Sequence, residues 1–341
     1  MAHSETHYKG PIIDVQCHIL PPGSKHKSLE YMDKTWPGLE PSLYNFNKAV
    51  FDKIEFENTD TPGVFRPQKS RLETLGKNDI QIVSSGLAVP AIAPNDQLKF
   101  VNNTNDFISK ATEGNPQFYG MSMIAAFSGQ AGLDAARDAI INKGLKGFYL
   151  LTNYAVLNTA TNKVQKYHVG DKHFEPFFAL AEELNVPVLI HPSGDVTGRE
   201  EYPSSFDVII LGFLNDERVA LFYLLRDGLL ERYPNLKLIV THMGGGILFN
   251  IARISGVWTL PHPPDYYLKK VYYDIASCTP ADISAAKKII GADHILVGTD
   301  FPWGKLDQMR NVLKKLPFSE EEIKSIAFNN AKKLFDIDSS G

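Results

Sequence analysis

The chain has 341 residues, a formal charge of −4, 43% hydrophobic and 22% charged residues, the profile of an ordinary globular protein. The mild acidity offers no basic patch for nucleic acid and no polybasic membrane anchor. Two cysteines are too few for a disulfide framework, which points to a reducing compartment. The polar stretch Met1–Lys9 holds no apolar signal core, and no run approaches membrane-spanning length, so a cytoplasmic protein is expected.

The first element is a strand, Pro11–His18. Its period of two places Ile12, Asp14, Gln16 and His18 on one face and Ile13, Val15 and Cys17 on the other. The polar row is expected to point inward, with Cys17 packed outward as an inert thiol. Residues 22–68, rich in Pro, Gly, Lys and aromatics, lack periodicity and read as a lid-like insertion carrying Arg66. A peripheral surface excursion is the alternative.

Regular alternation begins at residue 69. A helix over 69–77 leads to the strand Ile80–Leu87, then a helix over 96–113 to the strand Gln117–Ala126. A helix over 130–143 precedes the strand Lys146–Leu151, and a polar excursion follows as far as Asp171. A helix over 174–184 feeds Pro187–His191, and one over 216–232 feeds Leu236–His242. A helix over 247–257, the strand Val271–Ala276, a helix over 281–290 and the strand His294–Asp300 complete the series. Ser319 and Glu322 form a capping box for the last helix. Eight strands alternating with helices give a (β/α)8 barrel in one domain spanning 1–341, distorted by the insertion after the first strand. An open doubly wound sheet would be expected to carry a glycine-rich phosphate turn where Pro21-Pro22-Gly23 stands.

Four apolar strands end in side chains of metal-ligand type: His18, His191, His242 and Asp300. In a closed barrel such ends surround one mouth, the edge that carries the chemistry. Imidazole and carboxylate groups suit a divalent ion, and three protein ligands leave positions open for water or substrate. Taken singly each has a structural reading: His191 as a core histidine, His242 as a strand terminator before glycines that allow close packing, Asp300 as a cap. Asp274 reads as a further acceptor orienting a ligand histidine.

The segments IDVQCHIL, VLIHPSG, LIVTHMGGG followed by Ala252-Arg253, YYDIAS, ILVGTDFPWG and FNNAKKLF resemble the amidohydrolase-related group that includes aminocarboxymuconate-semialdehyde and γ-resorcylate decarboxylases. Smaller echoes are Asn115–Gly120 and Gly144–Phe148, so the resemblance covers nearly the whole chain. It implies a distorted barrel holding one divalent metal, Zn²⁺ or Mn²⁺ with Mg²⁺ as a further candidate, on His18, His191 and Asp300. It also implies a His242 beside the metal that orients or deprotonates bound water or contacts the substrate, a carboxylate-binding Arg253 and a wall at Trp303. Gln16 departs from the pattern, since relatives place His or Glu there. A neutral amide is the weaker ligand for a transition metal. The expected reaction is non-oxidative decarboxylation of an aromatic or conjugated acid, with Asp300 or a metal-linked water under His242 supplying the proton to carbon. Hydrolysis of an amide, lactone or C–C bond, or metal-poor binding of a small carboxylate, stay open. The resemblance also makes a homodimer the expected assembly.

Overall fold

A computed structural model describes residues 8–19, 69–86, 92–193 and 207–337. The expected lid over 22–68, with Arg66, lies outside the described residues. The strands are β1 (Ile13–Ile19), β2 (Ile80–Ser85), β3 (Phe118–Gly120), β4 (Ser122–Met123), β5 (Phe148–Leu151), β6 (Asn153–Asn158), β7 (Lys163–His168), β8 (Val188–His191), β9 (Leu238–Val240), β10 (Tyr272–Asp274) and β11 (Ile295–Leu296).

Pairing runs β1-β2-β3 in one sheet and β4-β5-β8-β9-β10-β11 in the other. β3 and β4 are two halves of one bent strand. Between them the Met121 N–H donates to Val83 at 2.9 Å on one side, and the Ser122 N–H donates to Gly147 at 2.8 Å on the other. At the opposite seam, parallel bridges Asp14–Val297 and Cys17–Phe301 join β1 to the chain beyond β11. Counting β3 and β4 together, eight parallel strands close on themselves, so the fold is the expected (β/α)8 barrel.

Apolar strand residues such as Val188, Leu189 and Ile190 are fully buried because helices cover the outer face of the sheet. The strand bounds are shorter than the apolar runs suggest. β9 stops at Val240 and β11 at Leu296, so His242 and Asp300 sit two and four residues beyond regular pairing. β1 pairs with β2 as Asp14–Gln81 and then as Cys17–Val83, a register shift that breaks strict alternation. Cys17 still packs outward, its thiol 3.5 Å from the Ile82 carbonyl oxygen, and Gln16 and His18 still face the mouth.

Four elements differ from the sequence reading. The polar excursion after Leu151 holds an antiparallel hairpin, β6–β7, whose turn uses Asn162 at φ 53°. The helix expected over 216–232 divides at Gly228, φ 76°, into Phe213–Arg226 and Leu229–Arg232. A helix at Leu306–Lys314 follows the Asp300 turn, and the helix expected from Ile247 begins only at Ile251. The capping box of Ser319 and Glu322 forms as expected, and Thr279 with Asp282 makes a second one.

Candidate active site

At the carboxyl ends of the strands, His18, His191 and Asp300 each present one ligand atom, all within 4.8 Å of one another. His18 Nε2 lies 3.1 Å from Asp300 Oδ1, and His191 Nε2 lies 3.8 Å from the same oxygen. The far nitrogen of each imidazole is tied back. His191 Nδ1 lies 2.8 Å from the Pro192 carbonyl, a pure acceptor, so it must carry the proton and leave the Nε2 lone pair facing Asp300. His18 Nδ1 lies 3.2 Å from Ser84 Oγ, whose own proton points to the Cys17 carbonyl at 3.4 Å. These ring-locking contacts are what a metal-binding histidine requires.

His191 Nε2 is buried with no hydrogen-bond partner, although it faces the Asp300 carboxylate. A divalent cation would take that lone pair together with His18 Nε2 and Asp300 Oδ1, so the donor set fits Zn²⁺ or Mn²⁺. Burial pulls the His191 pKa down to about 4, so the ring is neutral and ligand-ready through the physiological range. Burial works against charge on Asp300, but the surrounding His18, His191 and His242 outweigh burial and hold the carboxylate well below its ordinary range.

Asp300 stands at φ 57°, in the left-handed region, held there by its N–H to the Gln16 carbonyl at 2.8 Å and by the Trp303 N–H on its own carbonyl at 2.8 Å. Its carboxylate caps no helix; it faces the histidines. Gln16 reaches the cluster with its nitrogen, Nε2 lying 3.0 Å from Asp300 Oδ1 and 3.2 Å from His242 Nε2. Its Oε1 is buried without a partner. As placed, Gln16 donates to a ligand carboxylate and offers no ligand oxygen to the cluster.

His242 opens a run of left-handed residues, 242–246, with φ between 47° and 80°. Glycine is required at Gly245, because a Cβ there would lie 1.8 Å from the Leu214 carbonyl oxygen. The close approach seats the turn against the helix Phe213–Arg226 and brings Glu217 under the imidazole. Glu217 Oε1 accepts from His242 Nδ1 at 2.8 Å, and the Thr241 hydroxyl donates to the same oxygen. Burial opposes charge on His242, but Glu217 and Asp300 outweigh it and keep the imidazole protonated well above its ordinary pKa. His242 Nε2 stands 3.8 Å from Asp300 Oδ2, so the two oxygens of Asp300 divide between the metal-ligand histidines and the acid.

Glu217 was not singled out in the sequence. The signal was there: it shares a helix stripe with Ala220, Leu221 and Leu224, all buried, and is itself fully buried. Burial raises its carboxyl pKa. Asp274, read as the orienting acceptor, does something else. Its Oδ1 takes the backbone N–H groups of His242 and Ala276, both at 3.0 Å, so it holds the His242 main chain while Glu217 orients the ring. Trp303 borders the mouth, half exposed, its ring centroid 6.1 Å from that of His18. Arg253 is exposed on the short helix Ile251–Ser255, with no hydrogen bond or ion pair to another described residue, and the structure does not bring it to the cluster. Tyr149 on β5 also lines the site, its ring centroid 5.5 Å from His191 and 6.1 Å from His18.

Known proteins share this arrangement of strands over nearly the whole chain. The chain is 24% identical over 345 residues to 2-amino-3-carboxymuconate-6-semialdehyde decarboxylase of Dictyostelium discoideum, covering 96% of this chain and 92% of that protein. It is 26% identical over 331 residues to γ-resorcylate decarboxylase of a Polaromonas species, covering 89% and 92% respectively. A crystal structure of a dihydroxybenzoic acid decarboxylase from Polaromonas, with bound manganese and the inhibitor 2-nitroresorcinol, superposes with a TM-score of 0.73 at 20% identity, over 96% of this chain and 97% of that one. The amidohydrolase family model matches residues 13–337, a span that begins at β1 and takes in every strand and all of His18, His191, His242 and Asp300; the chain therefore belongs to the amidohydrolase family.

Proposed function

We propose that the chain is a metal-dependent carboxy-lyase that removes CO₂ from a small aromatic or conjugated carboxylic acid without an oxidant. The observation that carries this reading is Asp300 itself. One of its oxygens lies 3.1 Å from His18 Nε2 and 3.8 Å from the unpartnered His191 Nε2, and the other faces a protonated histidine backed by a buried glutamate. The named relatives, decarboxylases of such acids, support it.

His18, His191 and Asp300 would hold the ion, Zn²⁺ or Mn²⁺, with Gln16 as a fourth ligand only if its amide turns over to present Oε1. When bound, the ion would supply a Lewis acid that stabilises the charge developing in the conjugated system. His242, kept protonated by Glu217, is the proton store. Asp300 is a poor resting place for a proton, and therefore a strong acid once it carries one from His242. Delivered to the substrate carbon, that proton lets the C–CO₂ bond break, its electron pair returning to the conjugated system as CO₂ leaves. Such acid–base steps typically contribute about 10²–10⁴-fold. Trp303 would wall the substrate beside Asp300.

We further propose a cytoplasmic homodimer. Among the described residues no helix is long and apolar enough to cross a membrane. Ile210, Leu211, Phe249 and Val257 are exposed, the first two on the helical turn that runs directly into Phe213–Arg226 and Phe249 on the segment packed against that helix. Arg253 lies beside Phe249 and Val257 in the chain, and would serve a partner's substrate carboxylate where that face is shared. The test is a survey of hydroxybenzoic and dienoic acids with Mn²⁺-loaded protein in ¹⁸O-water. Release of CO₂ with no solvent oxygen in the product is expected. Two fragments carrying ¹⁸O would make the enzyme a hydrolase, and metal-loaded protein that binds such acids without turnover would make it a binding barrel.

A further inference from the structure

The largest fully buried side chain among the described residues is a charged one, Arg71, exposed to 1%. It belongs to the four-residue helix Lys69–Leu72 just before β2, far in sequence from every ligand. A buried guanidinium is stable only when its donors are engaged. Those of Arg71 reach β1, the strand of His18, and its neighbour β2. One terminal nitrogen donates to the backbone carbonyl of His18, and the other donates to Gln81 Oε1 at 2.9 Å. The flat face of the group lies over Phe301, the residue after Asp300, with 4.2 Å from its central carbon to the ring centroid.

The contacts continue inward. Gln81 Nε2 donates to Asp14 Oδ2 at 2.8 Å, and the same carboxylate accepts from Thr299 through its N–H at 2.9 Å and its hydroxyl at 2.7 Å. Asp14 thus supplies the counter-charge through an intervening amide. Backbone bonds run alongside, from the His18 N–H to Phe301 and from the Asp300 N–H to Gln16. The result is one buried brace across the barrel seam where β1 meets the turn after β11. That seam has only isolated bridges, and it carries His18 on one side and Asp300 on the other.

We propose that Arg71 is a positioning residue for the metal site, its guanidinium setting the spacing of His18 and Asp300 by holding the His18 carbonyl and the Phe301 ring at once. It touches neither metal nor substrate. Lysine keeps the charge but has neither the fork nor the plane, so it cannot make both contacts. This inference rests on the metal-centre part of the reading above and not on the choice of reaction.

The test measures Mn²⁺ affinity by electron paramagnetic resonance of the free ion on the full chain, with thermal unfolding followed in parallel. Arg71→Lys is expected to weaken Mn²⁺ binding about 10–100-fold, the usual effect of losing a group that orients metal ligands. Arg310→Lys is the comparison. Arg310 also makes a partly buried ion pair, with Asp79, whose other oxygen holds the Ile12 N–H at the opposite end of β1. It should lower the unfolding temperature and leave Mn²⁺ affinity within about twofold of wild type. Wild-type affinity in Arg71→Lys overturns the proposal, as does equal weakening in both variants, which would mark the effect as general destabilisation. Mn²⁺ binding that follows the proposal in a protein that releases no CO₂ leaves the brace standing and overturns the decarboxylase reading. Wild-type protein that takes up neither Mn²⁺ nor Zn²⁺, and so behaves like His191→Ala, overturns both.

Discussion

At the scale of single residues, the site depends on which atom of each side chain is committed elsewhere. His191 is a ligand candidate because the Pro192 carbonyl takes its Nδ1 proton, and His242 is an acid because Glu217 takes its own. Glu217→Gln keeps the shape and removes the charge. It is expected to lower kcat about 100-fold or more with metal content unchanged, measured by turnover and metal analysis on one preparation. Undiminished kcat, or loss of metal in step with activity, would assign Glu217 a purely structural task. Asp274 offers a pH test. Burial raises its pKa from 3.8 to about 7, so the folded state favours the protonated form. The stabilisation linked to that proton is fully present below the unfolded-state pKa of 3.8 and is lost as pH rises through about 7. Asp274→Asn has no such proton. Denaturant titrations should therefore show the stability difference moving in favour of the variant between pH 4 and 7 and levelling above; a flat difference would refute the protonated form.

At the scale of elements, the His242 turn and the Asp300 turn are left-handed segments held in place by neighbours. Gly246→Ala meets nothing closer than Phe249 at 4.0 Å and should cost only the left-handed penalty, about 1–2 kcal/mol. Gly245→Ala must move the Leu214 carbonyl and is expected to cost more than about 4 kcal/mol or to prevent folding. Chemical denaturation of the pair checks this, and equal losses would mean the turn can shift away from the helix. The Ser319 cap belongs to the opposite category. Ser319→Ala should cost about 1 kcal/mol with no change in kcat, because its helix packs beside Ala292–His294, at the amino-terminal end of β11 and opposite the mouth.

At the scale of the whole molecule, the core among the described residues is built from apolar side chains on the barrel strands and on the packed helices, and the ligand candidates lie outside it. Chelation should therefore abolish turnover and leave the fold. Mn²⁺ at about 100 times its dissociation constant should return about 2.7 kcal/mol of stability. Calorimetry with and without chelator checks this; an unfolding temperature indifferent to Mn²⁺ would contradict a metal site in the folded state.

The sequence by itself determined the eight-strand alternation, the polar tips His18, His191, His242 and Asp300, and the family resemblance. Buried parallel strands write themselves as short apolar runs, and the residue that ends such a run is conspicuous. It did not reveal Glu217 or Arg71, because each lies on a helix whose charged residues look like any solvated face until the helix is docked. Nor did it show that Asp274 holds a backbone rather than a ring, or that the Gln16 nitrogen faces Asp300. Those assignments depend on contacts between residues tens to hundreds of positions apart, and only the closure of the barrel decides which of them meet.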